Sequence, residues 1–325
     1  MLRSVPQELI EFIGKHKTFF IIGHEEPDGD CLGSQKALAS MLNRSGKNAV
    51  LCSAGPFIRP ETAGIEELFI KSFADTDIST DGAAVIITDC STPERIGEIF
   101  ASEIKGLPTA VIDHHASGQP FGDVSFVNGG SPSTTVMIYQ LFKELKIEPT
   151  PEEAEDMMFG FLTDTGYFRH LDHSNSASMQ LASELLSYGI SLKELYFRMY
   201  GGRKLDSKIL TGRVLSRAVP LFDGRCISIY EGLDEKKRFG AENRDSDTIY
   251  SQLLSVKGCE AVIFIREESE NECSVSLRSR DKIDVGAIAK SFGGGGHMRA
   301  AGFVYNGSRY EIEERLKDVF SEIFA

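Results

Sequence analysis

The stretch that decides the fold is TFFIIGHEEPDGD, residues 18–30, in which a short apolar run leads directly into a loop with several acidic residues and one histidine. The apolar run predicts a buried strand, and residues 32–44 have the apolar spacing of a helix that follows the loop. In open α/β sheets, ligand-binding groups lie just beyond the C-terminal ends of strands. The loop therefore lies where a site is expected, although a polar helix-capping loop with Asp30 as the N-cap would also explain it.

Two more predicted strands end in residues of the same chemical types. Asp89 follows the apolar run 83–88, and the tripeptide Asp-His-His at 113–115 follows the run 109–112. In a mostly parallel sheet, all these residues are expected at the same edge as the histidine of the first loop. A single carboxylate at a strand end is often structural, but Asp or His at three successive strand ends favours a shared site.

A predicted helix that begins near residue 150 leads to a further acidic position. The candidate metal ligands are therefore His24, Asp28, Asp30, Asp89, His114 and Asp164. Oxygen and nitrogen ligands of this kind suit divalent ions such as Mn²⁺ or Mg²⁺ and do not suit a structural tetrathiolate zinc site. Two divalent ions would balance the four carboxylates, polarise a phosphoryl oxygen and lower the pKa of a bridging water. The ligand set favours hydrolysis of phosphoesters or phosphoanhydrides.

In order and spacing, these residues resemble the motifs of the DHH phosphoesterases, a family named for the tripeptide found here at residues 113–115. The four matching segments are residues 24–34, 89–95, 113–115 and 160–169. The resemblance implies that a first metal ion is bound by His24, Asp28 and Asp89. It implies that a second ion is bound by Asp30, Asp89, His114 and Asp164, with Asp89 as the bridge.

The same resemblance implies the catalytic residues, which are Asp89, Asp113 and His115. His115 would face the scissile phosphate, and Asp113 would lie behind the ligands as a supporting partner. The expected cofactors are two divalent ions, with Mn²⁺ as the first choice and Mg²⁺ or Co²⁺ as alternatives.

The length of 325 residues indicates about two domains. Strand and helix signals alternate over the first half, which predicts an α/β domain with a mostly parallel sheet. An Asp-Gly hairpin signal at residues 223–224 marks the change to a smaller α+β domain. We place the catalytic domain at residues 1–195, a linker at 196–218 and the second domain at 219–325, and we expect the active-site cleft between the domains.

The second domain contains a locally basic segment and a run of four glycines. Residues 273–302 have five Lys or Arg against two Asp. The residues after a short predicted helix in this segment are Gly293, Gly294, Gly295, Gly296 and His297. Consecutive glycines can turn several N–H groups toward one anion, although a helix C-cap that leads into a flexible turn explains the same residues.

With the sequence Ala-Ala-Gly at 300–302, the glycine run resembles the hallmark of the C-terminal domain often paired with DHH domains. This domain resembles that of the oligoribonuclease and 3′-phosphoadenosine 5′-phosphate phosphatase branch. The resemblance implies that Arg278, His297 and the glycine backbone bind the far end of a short substrate. Arg169 follows the fourth motif and either contacts substrate phosphate, which arginine recognises with two parallel hydrogen bonds, or forms a surface ion pair.

The expected reaction is hydrolysis of very short RNA or linear dinucleotides to 5′-mononucleotides. Alternatives in the same class are hydrolysis of 3′-phosphoadenosine 5′-phosphate to adenosine monophosphate and hydrolysis of cyclic dinucleotides. Inorganic pyrophosphatase activity fits less well, because the glycine-rich domain suits a nucleotide. The alternative from another class is a noncatalytic nucleotide sensor that uses the same pocket.

The composition limits the partners and the location. Lys and Arg number 35 against 48 Asp and Glu, and the net charge of −13 disfavours binding of long duplex nucleic acid. No apolar stretch reaches the roughly 18 residues of a membrane span, and six cysteines without a C-x-x-C pair indicate a reducing cytoplasm. We therefore expect a cytoplasmic protein with no membrane partner. The expected substrates are short RNA, dinucleotides or a nucleoside bisphosphate. The sequence leaves open whether the protein forms a homodimer.

Overall fold

The computed structural model describes residues 3–115 and 121–325. The chain divides into two compact units, Met1–Gly201 and Gly202–Ala325. Each unit has two clusters of buried apolar side chains of its own. In the described residues, no helix combines the length and the apolar content that crossing a membrane requires.

The N-terminal unit is built on a five-stranded sheet in which all neighbouring strands are parallel. Its strands are β1 (Thr18–Ile22), β2 (Asn48–Cys52), β3 (Ala84–Thr88), β4 (Thr109–Asp113) and β5 (Val124–Val127). Their order is β2-β1-β3-β4-β5, so β1, β3 and β4 lie side by side and end at one edge. The predicted α/β architecture with a mostly parallel sheet is confirmed.

Helices cover both faces of this sheet. They are α1 (Gln7–Lys15), α2 (Gly29–Arg44), α3 (Glu98–Glu103), α4 (Thr134–Leu145), α5 (Pro151–Asp164), α6 (Ser176–Leu186) and α7 (Leu192–Tyr200). In β1, Phe19 and Ile21 pack into the cluster formed with α1, α2, α4 and α5, whereas Phe20 and Ile22 pack into the cluster that contains α3. Burial on both faces explains why β1 is uniformly apolar.

The helix α2 begins at Gly29, three residues before the predicted start. Its N-cap is Asp28, whose Oδ1 accepts hydrogen bonds from the backbone N–H groups of Asp30 and Cys31 at 3.1 Å each. Asp30 therefore lies inside the first turn and is not the N-cap. Its side chain is consequently available for a contact outside α2.

Two glycines let α2, α4 and α5 approach one another closely. A Cβ atom added to Gly33 in α2 would lie 2.4 Å from the backbone oxygen of Asp156 in α5. A Cβ atom added to Gly160 in α5 would lie 2.4 Å from Cγ2 of Thr135 and 2.9 Å from Oδ1 of Asp30. Real Cβ atoms do not approach other atoms so closely, so a larger side chain at either position would push the helices apart.

The C-terminal unit contains a six-stranded mixed sheet. Its strands are β6 (Val219–Leu221), β7 (Cys226–Glu231), β8 (Ala261–Ser269), β9 (Glu272–Ser279), β10 (Gly295–His297) and β11 (Ala300–Asn306). The order is β10-β11-β9-β8-β7-β6, in which β7 and β8 are parallel and the other neighbours antiparallel. The predicted hairpin with Asp223 and Gly224 joins β6 to β7. The smaller α+β unit is confirmed.

Five helices belong to this unit. They are α8 (Leu205–Leu215), α9 (Leu233–Phe239), α10 (Ser246–Leu254), α11 (Val285–Ser291) and α12 (Arg309–Phe324). α11 and α12 pack on one face of the sheet, whereas α8, α9 and α10 pack on β7 and β8 from the other face. The segment predicted as a linker, 196–218, holds the end of α7 and the whole of α8.

Candidate metal centre

Three neighbouring strands of the N-terminal unit end at one edge of the sheet. β1 pairs with β3, and β3 pairs with β4, in parallel register. His24 lies two residues beyond β1, Asp89 directly follows β3, and Asp113 is the last residue of β4. The structure thus brings these predicted residues to the same place.

Asp89 lies between two imidazoles. Its Oδ2 is 3.5 Å from Nε2 of His24, and its Oδ1 is 3.5 Å from Nε2 of His114. The backbone of Asp89 has φ = 58°, in the left-handed region that few residues other than glycine, asparagine and aspartate adopt. Burial raises the pKa of Asp89 well above its usual value, and the nearby carboxylate of Asp30 adds to this effect.

His24 presents Nε2 to the cluster because its other ring nitrogen is occupied. Nδ1 lies 2.6 Å from the backbone oxygen of Glu25, and since a carbonyl oxygen only accepts, Nδ1 donates the hydrogen bond. Nε2 then has a lone pair for the side that contains Asp28 and Asp89. Burial lowers the pKa of His24, which favours the neutral imidazole that binds metal ions.

Asp30 is completely buried at the N-terminus of α4. Its Oδ2 accepts a hydrogen bond from the N–H of Thr134 at 2.6 Å, and its Oδ1 accepts one from the N–H of Thr135 at 2.9 Å. Burial, followed by the charge of Asp164, raises the pKa of Asp30 to about 7. The N-terminus of α4 therefore fixes the position of Asp30.

Thr134 is a residue that the sequence analysis missed. Its hydroxyl donates a hydrogen bond to Oδ1 of Asp89 at 2.9 Å, so one residue contacts two of the candidate ligands. The available signal was Ser133, which is the N-cap of α4 and is followed by an apolar helix. That signal predicts a helix start but does not indicate a contact with the site.

His114 and Asp164 are in direct contact. Nε2 of His114 lies 3.0 Å from Oδ2 of Asp164 and 3.9 Å from Oδ2 of Asp30. Burial lowers the pKa of His114, but the carboxylates of Asp164 and Asp30 outweigh burial and raise it to about 9. A protonated His114 would offset part of the negative charge, and a metal ion would offset it more completely.

Asp28 uses one oxygen for capping and turns the other toward the cluster. Its Oδ2 lies 3.9 Å from Nε2 of His24 and 3.8 Å from Nη2 of Arg59. Arg59 is 47% exposed and was not identified from the sequence, because it lies in an irregular loop without a recognisable motif. Its guanidinium adds positive charge at the rim of the site.

Asp113 orients His115. Its Oδ1 accepts hydrogen bonds from the backbone N–H of His115 at 3.1 Å and from Nδ1 of the same residue at 2.7 Å. Burial raises the pKa of Asp113, but the hydrogen bonds from His115 outweigh burial and keep the pKa below its usual value. The His115 side chain is 40% exposed, and its Nε2 is not needed for the contact with Asp113.

The donor atoms at this edge fit divalent metal ions. Among the described residues, three groups of side chains have ligand atoms within 4.8 Å of one another: His24, Cys31 and Asp89; Asp89, His114 and His115; and Asp30, His114 and Asp164. Imidazole and carboxylate donors dominate these groups; carboxylates suit Mn²⁺ and Mg²⁺, and imidazoles suit divalent transition metals. Burial raises the pKa of the Cys31 thiol well above its usual value, so this residue stays protonated and is a poor ligand.

Asp164 ends α5 and leads into a strained turn. Residues 166–168 all have positive φ, between 54° and 72°, although only the first is glycine. The hydroxyl of Tyr167 anchors the turn by donating to the backbone oxygen of Leu192 at 2.7 Å. Arg169, a predicted substrate contact, donates from Nε to the backbone oxygen of residue 166 at 2.9 Å and therefore lies beside this turn.

In the C-terminal unit, the glycine run first closes α11. The N–H groups of Gly293 and Gly294 donate to the backbone oxygens of Lys290 and Ala289, and Gly293 has φ = 81°, as a helix C-cap requires. The next three residues form β10, which pairs with β11, and His297 at its end is exposed. The helix C-cap is thus present, and the segment continues as a strand and not as a flexible turn.

Arg278, the other predicted substrate contact, lies on β9. Its guanidinium is positioned over the ring of Tyr250 at 4.4 Å, and Nη1 donates to the backbone oxygen of Leu277 at 3.1 Å. The side chain is only partly buried, so it stays accessible from one side.

Comparisons with known proteins agree with this architecture. The model of the DHH family N-terminal domain matches residues 18–161, and the model of the DHHA1 domain matches residues 227–325. The bifunctional oligoribonuclease and PAP phosphatase NrnA of Thermus thermophilus is 32% identical over 292 residues, which cover 89% of this chain and 84% of that protein. The chain belongs to the DHH family of phosphoesterases.

Other known proteins match over most of the chain. The bifunctional oligoribonuclease and PAP phosphatase NrnA of Bacillus subtilis is 29% identical over 299 residues, which cover 91% of each protein. Among solved structures, an exopolyphosphatase-related protein from Bacteroides fragilis aligns with a TM-score of 0.83 and 23% identity, covering 100% of this chain and 99% of that one. The structural match supports the two-unit DHH fold, and the sequence matches support a phosphoesterase.

Proposed function

We propose that this DHH protein is a metal-dependent phosphodiesterase that hydrolyses short oligoribonucleotides or linear dinucleotides to 5′-mononucleotides. The observation that carries the proposal is the convergence of His24, His114 and Thr134 on the buried carboxylate of Asp89. Support for the substrate class comes from the two relatives named as bifunctional oligoribonucleases and PAP phosphatases, which match along most of their length.

The proposed ligands of two divalent ions, with Mn²⁺ preferred, are His24, Asp28, Asp30, Asp89, His114 and Asp164. Such ions balance carboxylate charge and act as Lewis acids on a phosphoryl oxygen. The chain itself keeps the ligands in place: Thr134 holds Asp89 by its hydroxyl and Asp30 by its N–H, and Glu25 fixes the ring of His24. These hydrogen bonds therefore help to position three of the six proposed ligands, Asp89, Asp30 and His24.

His115 is proposed to contact the phosphate that is cleaved. Asp113 accepts a hydrogen bond from Nδ1 of His115, so Nε2 is the ring atom available to a substrate. There it donates a hydrogen bond to a phosphoryl oxygen or a proton to the leaving oxygen. This assignment makes Asp113 a positioning residue and His115 the group that touches substrate.

The residues proposed to bind the rest of the substrate lie mainly in the C-terminal unit. They are Arg278, His297 and the backbone of residues 293–296, with Arg169 as a further contact from the N-terminal unit. Arg278 offers a guanidinium already oriented on Tyr250, and arginine suits phosphate recognition. The net charge of −13 supports a short substrate, because a long polyanion needs an extended basic surface.

The second candidate is hydrolysis of 3′-phosphoadenosine 5′-phosphate, which the PAP phosphatase part of both relatives' names favours. A noncatalytic sensor is less well supported, because every ligand position of the centre is filled by a residue able to bind metal. We further propose a reducing, cytoplasmic setting, which is supported by six unpaired cysteines.

The test is chromatography of the products formed by metal-stripped protein, with and without Mn²⁺. Three substrates are compared: a linear diadenylate, a five-nucleotide RNA and 3′-phosphoadenosine 5′-phosphate. We expect Mn²⁺-dependent release of mononucleotides from the first two, with the ranking of the three rates choosing between the candidates.

The matched variants for this test are Asp89→Asn, which removes the central carboxylate, and Asp81→Asn, which changes an exposed loop residue. We expect turnover to disappear in the first and to stay unchanged in the second. Binding of the dinucleotide without cleavage by the metal-loaded wild type would instead support the sensor.

A further inference from the structure

One face of the C-terminal sheet is only partly covered by helices. The apolar cluster formed with α8, α9 and α10 takes side chains from β7 and β8 but none from β9 or β11. The side chains of β9 that point to this face are Ser274, Ser276 and Arg278, and their neighbours on β11 are Val304, Gly302 and Ala300. Val304 is 61% exposed, so this part of the face is open.

Arg266 extends onto this open face from β8. Its Nη2 donates to the hydroxyls of Ser274 at 3.2 Å and Ser276 at 2.7 Å, and its Nη1 donates to the hydroxyl of Ser246 at 3.3 Å. Each serine hydroxyl that accepts from Arg266 keeps its own O–H to donate to another acceptor. Together, Arg266, Ser274 and Ser276 present several donors on the same side of the sheet.

Arg266 and Arg278 are aligned along α10. Arg266 contacts Ser246, and Arg278 is positioned over Tyr250, one helical turn further along the same helix. The contact of Arg266 with Ser276 brings its guanidinium within two residues of Arg278 along β9, which is roughly 7 Å of strand. Neighbouring phosphates of an extended single strand can match such a spacing.

Neither arginine has an anionic partner in the described ranges 3–115 and 121–325. The partners of Arg266 are three hydroxyls and the ring of Phe264, and those of Arg278 are a carbonyl oxygen and the ring of Tyr250. The acidic neighbours Glu267 and Glu268 pair with other basic residues, Arg309, Lys236 and Arg244. Two adjacent guanidinium groups without a carboxylate, in a protein of net charge −13, indicate an anion site.

We propose that Arg266, Ser274 and Ser276 form a second phosphate subsite, which binds the phosphate one nucleotide beyond the phosphate bound by Arg278. The ligand is the phosphodiester backbone of a single-stranded oligonucleotide. This inference rests on the proposed function, because it assigns a length preference to the same substrate. A dinucleotide, with one internucleotide phosphate, is proposed to occupy the Arg278 site alone, whereas a trinucleotide, with two, occupies both sites.

The experiment measures Kd for a dinucleotide and a trinucleotide RNA by calorimetry in EDTA, and KM for both with Mn²⁺. The variants are Arg266→Gln and Ser276→Ala, and the matched control is Arg238→Gln, an exposed arginine on α9. Arg266→Gln is expected to weaken trinucleotide binding at least about tenfold, with dinucleotide binding and kcat unchanged. It is also expected to reduce the dependence of log Kd on log salt by about 0.7.

Ser276→Ala keeps the arginine and removes one hydroxyl, so it covers the case in which Arg266→Gln fails to fold. We expect this variant to bind the trinucleotide about threefold more weakly and to bind the dinucleotide as the wild type does. Equal losses for both ligands, or no loss for either, would overturn the subsite. If the wild type cleaves neither RNA, the proposed function fails, but the two Kd values measured without metal still decide the subsite.

Discussion

Asp89 combines an unusual backbone conformation with a crowded carboxylate. Its Oδ1 accepts from Thr134 and faces His114, and its Oδ2 faces His24. With φ = 58° its backbone lies in the left-handed region, which aspartate adopts more readily than most residues with a side chain. The position of this carboxylate therefore depends on Thr134, which is not a proposed metal ligand, as well as on the two imidazoles.

Thr134→Val tests that dependence. Valine preserves the shape and the backbone N–H that binds Asp30 but removes the hydroxyl that donates to Asp89. Because partners of this kind orient metal ligands, we expect Mn²⁺ affinity, measured by calorimetry, to fall about 10- to 100-fold and turnover to fall with it.

Thr134→Ser is the matched control, since serine keeps the hydroxyl and should restore affinity to near the wild-type value. A loss of melting temperature without a change in Mn²⁺ affinity would show that the hydroxyl acts only in folding.

The candidate ligands could be predicted from the sequence because each belongs to a local pattern. His24 and Asp89 follow short apolar strands, and Asp164 ends a helix with a clear capping box at its start. Thr134 could not be predicted in the same way, because its partner Asp30 lies 104 residues away in the chain. Local sequence indicates that a helix starts there, but only the tertiary fold determines what the start contacts.

At the level of elements, strands and helices were predicted well where burial dictates the pattern. The observed boundaries differ from the predicted ones where a side chain caps a helix. Asp28 caps α2, so this helix begins earlier than its apolar spacing indicates. The short strand β10 was not expected, because glycines have a low strand propensity. It forms because β11 supplies a partner along residues 300–302.

Glu235 near the start of α9 links that helix to the end of α8. Its side chain is 4% exposed and accepts hydrogen bonds from Arg213 and Arg217. The bond from Arg217, supported by Arg213, lowers the pKa of Glu235 to about 2. A carboxyl group whose pKa is depressed by folding stabilises the folded state above its unfolded pKa, and this stabilisation is lost as pH falls toward the folded pKa.

Glu235→Gln is therefore expected to destabilise the C-terminal unit by about 1–3 kcal/mol near pH 7. The difference from wild type, measured by urea unfolding, should shrink between about pH 4.5 and pH 2. Glu314→Gln, at a 73% exposed glutamate paired with Lys317, is the control and should change stability by less than about 1 kcal/mol. A difference for Glu235→Gln that stays constant across this pH range would exclude the ion pair as its cause.

At the scale of the whole molecule, the proposed metal ligands all belong to the N-terminal unit. Each unit has separate apolar clusters, so we expect scanning calorimetry to resolve two unfolding transitions. Mn²⁺ at about 100 times its Kd should stabilise the N-terminal transition by roughly 2.7 kcal/mol per site and leave the other in place.

Asp89→Asn should remove the Mn²⁺-dependent shift while keeping two transitions. A single unfolding transition that shifts with Mn²⁺ would mean that the two units unfold together. A shift confined to the transition of the C-terminal unit would contradict the ligand assignment.

The order β2-β1-β3-β4-β5 also has a consequence during synthesis on the ribosome. β1 is an interior strand, and it is synthesised before either of its neighbours. The proposed ligands that follow it, His24, Asp28 and Asp30, are synthesised long before Asp164, the last ligand in the chain. At roughly 5–20 residues per second, translation from His24 to Asp164 takes on the order of ten seconds. For most of that interval, until Thr134 and Thr135 are made, Asp30 lacks the N–H groups of α4 that it binds in the folded protein. The proposed metal loading therefore requires the chain at least as far as Asp164, and a nascent chain stalled before α5 holds an incomplete centre.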